Sequence, residues 1–170
     1  MIDPTIIEEI KSIVTKQNVL TDEPMCNHTT FKIGGKADVF VSIINEHEIL
    51  RLLELLRSRQ IPFFILGNGS NILVSDEGYR GVIIEIGSAY SGVRMLDDIV
   101  IAKAGTTMAK LSHFAMENNL TGLEFASGIP GTVGGGIIMN AGAYVGEMRQ
   151  ITYRVKAVTP SGEVIYLSNA

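Results

Sequence analysis

Seven of the chain's 18 glycines lie in the 19 residues from Gly128 to Gly146. Glycine loses more conformational freedom on folding than any other residue. A fold tolerates such density where backbone must pass close to something flat, charged or bulky. The stretch is not low in complexity, because Ile129, Pro130, Val133, Ile137, Ile138 and Met139 are interleaved. It reads as a loop, Gly128-Ile129-Pro130-Gly131-Thr132-Val133-Gly134-Gly135-Gly136, leading into a short buried helix whose first N–H groups face a ligand. Close packing of backbone at a junction between lobes accounts for the same glycines equally well.

A second glycine loop lies upstream. Phe63 to Leu66 reads as a short, fully apolar strand and runs straight into Gly67-Asn68-Gly69-Ser70-Asn71-Ile72-Leu73. Successive N–H groups in such a loop can form an anion-binding nest, and Asn68, Ser70 and Asn71 add donors without charge. A diphosphate cradle is the functional reading; a tight turn built from Asn, Ser and Gly is the plainer one. A dinucleotide-type Gly-x-Gly-x-x-Gly fails because position 72 is Ile72, and no Walker A run exists. Two such loops in one small chain favour one large ligand that touches both.

Two further segments are candidates. Asn140-Ala141-Gly142-Ala143-Tyr144 could lie under a planar ring with Asn140 at its edge, or could simply end a helix with Gly142 in the position after the cap. In Thr29-Thr30-Phe31-Lys32-Ile33-Gly34-Gly35, Lys32 is a cation beside two glycines, suited to a phosphate or to plain solvation.

Around these segments the pattern is α+β. Residues 3–17 read as an amphipathic helix capped by Asp3, and residues 18–30 as loop. Strands are expected at 38–43, 63–66, 82–86 and 99–104. Helices are expected from Asn45, with Glu48 completing a capping pattern, to Arg59, and from Thr107 to Asn119. Residues 151–168 read as a hairpin turning at Pro160-Ser161-Gly162.

Bulk properties exclude several classes. The net charge is −4 and no basic run occurs, so nucleic acid is not an expected partner and an anionic ligand must be held locally. The single cysteine, Cys26, excludes an internal disulfide framework and suits a reducing cytoplasm. His28, His47 and His113 are scattered without ligand spacing, so no metal site is expected. No signal peptide and no membrane span are read from the sequence.

In this order the segments resemble the flavin-binding half of the UDP-N-acetylenolpyruvoylglucosamine reductase (MurB) family. The resemblance runs from Asn27–Gly35 through Leu66–Val74 and Gly122–Ala126 to Gly128–Gly135 and Met139–Tyr144. It implies a two-subdomain FAD-binding fold of the vanillyl-alcohol-oxidase/p-cresol-methylhydroxylase type, with subdomains at 1–90 and 91–170. It implies non-covalent FAD, with the diphosphate on Gly67, Asn68, Gly69, Ser70 and Asn71 between Leu66 and Leu73. A second wall would come from Gly128, Ile129, Pro130, Gly131, Thr132, Gly134 and Gly135. Asn140, Ala141, Gly142 and Ala143 would approach the flavin, and Ile33 and Gly34 the adenine or ribose side.

In that family NADPH reduces the flavin, which passes hydride to a nucleotide-sugar enolpyruvyl group in peptidoglycan synthesis. The family's catalytic arginine, serine and glutamate find no match here. Tyr153-Arg154 lies too early, in the first strand of the hairpin, and Tyr79-Arg80 lacks the motif. The catalytic residues and a substrate-binding domain are therefore expected beyond Ala170, and these residues alone should show little turnover. Two alternatives stay open: a non-catalytic flavin-binding module, and a related oxidase whose flavin is tethered to His28 or Cys26.

Overall fold

A computed structural model describes residues 2–169. Helix α1 spans Pro4–Ile13, started by the Asp3 carboxylate, which accepts the Thr5 N–H at 2.8 Å. It stops short of residue 17 because Val14 turns extended, and Lys16–Asn18 then make a 3-10 turn. Residues 19–24, expected as loop, are instead a strand. This β1 (Val19–Pro24) pairs antiparallel with β2 (Lys36–Ser42), from Val19 opposite Val41 to Pro24 opposite Lys36. Its polar sequence hides it. An edge strand has one neighbour, and here only Val19 is buried, so Thr21, Asp22 and Glu23 cost little.

Helix α2 (Glu46–Ser58) is capped as expected: the Asn45 side chain accepts the Glu48 N–H at 2.9 Å. The Glu48 carboxylate returns to the Ile44 N–H, also at 2.9 Å. Strand β3 (Phe63–Leu66) follows, then β4 (Tyr79–Glu85). The sheet order is β1-β2-β4-β3, with β2, β4 and β3 mutually parallel. Because β3 is an edge, it is not fully buried: Phe64 is 43% and Ile65 37% exposed.

Successive residues of a strand face opposite sides, and this sheet separates its cores by that alternation. Val39, Val41, Val82 and Ile84 join Ile10, Leu52 and Leu56 beneath α1 and α2. Phe40 and Ile83 point the other way, to Met25 and Leu66.

The later residues begin with a hairpin, β5 (Val93–Leu96) and β6 (Ile99–Ala102), of which the sequence betrayed only the second strand. Helix α3 (Met108–Glu117) starts at Thr107, whose hydroxyl accepts the Lys110 N–H. His113 on α3 faces solvent beside Glu117 rather than a core. The short helix α4 (Val133–Ile138) leads to a two-residue ladder of β7 (Gly142–Ala143) with β8 (Gly146–Glu147), then α5 (Met148–Ile151). Met108, Leu111, Phe125, Ala126, Val133 and Met148 form a third core.

The expected final hairpin, β9 (Arg154–Val158) with β10 (Val164–Ser168), turns through Gly162. It returns to the first lobe: Val158 packs against the core beneath α2, Lys156 reaches Glu46 at 2.6 Å, and Arg57 donates to the Ser161 carbonyl. No helix among the described residues is long and apolar enough to cross a membrane.

Candidate functional site

The carboxyl ends of β2, β4 and β3 converge on one edge of the sheet, the usual place for a ligand in parallel α/β architecture. There β3 runs directly into the turn 67–71. The backbone N–H groups of Gly67, Asn68, Gly69, Ser70 and Asn71 donate to no acceptor among the described residues. Five neighbouring donors without partners, one of them on the buried Gly69, are what an anion nest requires.

The segment 25–30 lies alongside this turn. The Thr30 N–H donates to the Gly69 carbonyl at 3.0 Å. The His28 ring stacks on Phe40, with centroids 3.9 Å apart, and its Nε2 lies 2.9 Å from Glu23 Oε1. Between the two segments is a cavity of about 370 Å³, lined by Asn27, His28, Thr29, Thr30, Lys32, Gly67, Asn68 and Glu85. Lys32, held in the left-handed region at φ 59, supplies its cation.

Burial pushes the Glu23 carboxyl up, but hydrogen bonds from His28 and Asn27 outweigh it and hold the group below its ordinary value. A depressed acid stabilises the fold above its ordinary titration range and stops doing so as pH falls through its folded-state value. Acidification is therefore expected to loosen the 25–30 segment. Glu23→Gln should flatten that pH dependence in amide hydrogen exchange of residues 25–30; an unchanged pH profile would show that another group controls it.

The two glycine loops meet. A Cβ on Gly67 would lie 2.5 Å from the Thr132 hydroxyl, and Asn68 Nδ2 donates to the Pro130 carbonyl at 3.0 Å. The second loop is stitched to the strand-to-helix connection before α3: Met108 N–H to Gly131 O, Val133 N–H to Thr106 O, Gly134 N–H to Ala104 O. This corrects the expectation that the first N–H groups of α4 face a ligand. Those of Val133 and Gly134 are taken as just described, and that of Gly135 donates to the Thr132 hydroxyl. Gly134 is explained by packing, since its Cβ would lie 2.9 Å from that of Ala104. Gly128, Ile129, Pro130 and Gly131 keep an open side; a Cβ on Gly128 would meet nothing within 4 Å.

Asn140 is engaged within the fold: its Oδ1 accepts the Arg149 N–H at 2.8 Å and its Nδ2 donates to Glu147 at 3.0 Å, which leaves one amide N–H and one oxygen lone pair for a further partner. Asn140 itself, at φ 45, occupies the left-handed position after α4 that the sequence reading gave to Gly142. Ala141 is tied by backbone bonds to Gly136 and Met148, while Gly142 and Ala143 line a second cavity of about 370 Å³. Leu66 is core, 2% exposed, and Leu73 and Ile33 are exposed outside the first cavity. Gly34 packs on Val74 at φ 128. Arg154 covers the Tyr166 ring at 5.3 Å, within its hairpin.

Sequence reading missed Glu85. It ends β4, lines the first cavity, and accepts from the Ser42 hydroxyl at 2.7 Å. The available signal was a carboxylate closing the apolar run Val82-Ile83-Ile84. Among the described residues no cluster of His, Cys, Asp and Glu could hold a metal ion.

Residues 37–168 match the family model described as FAD binding domain. The chain is 43% identical over 164 residues to the UDP-N-acetylenolpyruvoylglucosamine reductase of Caldanaerobacter subterraneus subsp. tengcongensis, covering 96% of this chain and 54% of that protein. It thus spans about half the length of the curated relatives it matches. The crystal structure of the Thermus caldophilus UDP-N-acetylenolpyruvylglucosamine reductase superposes with a TM-score of 0.69 at 31% identity, over 86% of this chain and 51% of that one. p-Cresol methylhydroxylase superposes with a TM-score of 0.69 at 16% identity, over 95% of this chain and 34% of that one, a likeness of fold alone. Two lobes, a parallel-strand edge and a pair of glycine loops that touch across it agree with these matches, and the chain belongs to the FAD binding domain family, with the fold of the vanillyl-alcohol-oxidase/p-cresol-methylhydroxylase type.

Proposed function

We propose that this chain is the cofactor-binding part of an NADPH-dependent reductase acting on UDP-N-acetylglucosamine enolpyruvate, and that FAD lies across the two glycine loops. The observation that carries the reading is the run of partnerless N–H groups from Gly67 to Asn71, in a turn that touches the second loop at Thr132. Those donors hold the diphosphate, with Lys32 neutralising part of its charge. Gly128, Ile129, Pro130 and Gly131 form the opposite wall, and Thr132 fixes the spacing between the loops. Bound there, the flavin supplies hydride transfer; the protein supplies orientation and exclusion of water.

The division into subdomains at 1–90 and 91–170, the use of NADPH, the nucleotide-sugar substrate and a cytoplasmic location belong to the same reading. The cofactor is held without a covalent link. His28 supports this, since its ring is stacked on Phe40 and its Nε2 is engaged by Glu23.

The test is direct. Purified chain titrated with FAD should quench flavin fluorescence and retain a flavin visible spectrum through gel filtration. After denaturation the colour should leave the polypeptide. Colourless protein that does not quench FAD would overturn the reading.

A further inference from the structure

Glu85 sits where an anionic ligand is expected, yet it carries the wrong charge for a diphosphate. Its backbone is locked on both sides. The Ile43 N–H donates to the Glu85 carbonyl at 3.0 Å, and the next residue, Ile86, donates to the Leu66 carbonyl at 2.8 Å. The side chain therefore projects at a fixed place, beside Gly67 and Asn68 in the same cavity wall. Ser42, at the end of the neighbouring β2, donates to Oε2 at 2.7 Å and orients the carboxylate. Oε1 accepts no hydrogen bond among the described residues. A half-buried carboxylate in a cavity wall, oriented by one partner and with one oxygen that accepts nothing among the described residues, can accept from a neutral donor.

Resting on the reading that FAD occupies this site, we propose that Glu85 is a specificity-determining residue that accepts a hydrogen bond from a sugar hydroxyl next to the diphosphate. The nest at 67–71 takes the anion, and Glu85, adjacent but negative, excludes phosphate from its own end of the cavity and admits a hydroxyl. The ligand is thereby held in one direction along the cavity. Ser42 is the positioning residue.

The isosteric variant Glu85→Gln separates the roles. In equilibrium dialysis it should bind FAD about tenfold more weakly, the order of one lost charge-assisted hydrogen bond. It should bind inorganic pyrophosphate as tightly as the parent, or more tightly. ADP falling with FAD would identify the ribose hydroxyl; ADP unaffected while FAD falls would identify the ribityl chain. Either result supports the proposal. FAD bound equally well or better by Glu85→Gln would overturn it. So would an equal loss for pyrophosphate and FAD, which would make the carboxylate a support of the cradle. Ser42→Ala, remote from the ligand, should reproduce a smaller loss of FAD and keep pyrophosphate, and so provides the same readout should Glu85→Gln fold poorly. Parent chain that binds no FAD would refute the cofactor reading itself, a result distinct from any of these.

Discussion

Phe40→Ala should cost about 3–5 kcal/mol of stability, as truncation of a fully buried aromatic does. Phe40 is 1% exposed and stands among Met25, Leu66 and Ile83 on one face of the sheet. Alanine would leave a cavity under three elements that cannot collapse together, because β2 is pinned between β1 and β4. The loss should reach the site as well. His28 rests on the Phe40 ring, so its seat would go, and with it the wall formed by Asn27, His28 and Thr29. Urea unfolding and FAD titration should fall together. A loss below about 1 kcal/mol would show that Phe40 is not the floor of this core.

Gly69→Val should abolish FAD binding and lower stability by about 2–3 kcal/mol, from a left-handed backbone forced on a β-branched residue together with a broken hydrogen bond. Gly69 has φ 62, and a Cβ there would lie 1.8 Å from the His28 carbonyl oxygen and 3.1 Å from Thr29 Cα. Relief requires the 28–30 segment to move away, which breaks the Thr30 to Gly69 bond and opens the cavity. Gly69→Ala should act in the same direction, because the clash is with Cβ. Ser70→Ala, which adds no atom, should leave stability nearly unchanged. If Gly69→Val bound FAD like the parent, the turn at 67–71 would not be the cradle.

Gly69 has a cause in the fold that its sequence does not show. Gly69 reads from sequence as bare backbone for a ligand; in the fold its missing side chain first makes room for His28. The amphipathic helices, the Asn45 cap and the Pro160-Ser161-Gly162 turn were legible because local spacing and local chemistry decide them. Strands β1 and β5 were not, since their partners rather than their own residues hold them in the sheet. The first glycine loop was visible as a loop, whereas the second was read too long: Val133, Gly134, Gly135 and Gly136 already belong to α4, which Thr132 caps. That Thr132 touches Gly67 depends on residues 65 positions apart, and the N–H groups of Val133 and Gly134 are taken by Thr106 and Ala104, 27 and 30 positions upstream. Glu85 escaped for a related reason: a lone carboxylate gains meaning only when Ser42, Gly67 and Asn68 surround the same cavity.

The return of the final hairpin to α2 bears on the order in which the molecule can assemble. Val158 completes the apolar layer beneath α2, and Lys156 and the Ser161 carbonyl meet Glu46 and Arg57, all across more than 100 residues of sequence. Contacts so distant in the chain close late, because a long loop must be ordered before they form. During synthesis the sheet of the first lobe can pair while this layer is still open. Its apolar flank, Val158's seat, stays wet until residues beyond 158 have left the ribosome, so the interval between the two events is when the nascent chain is most exposed to wrong partners.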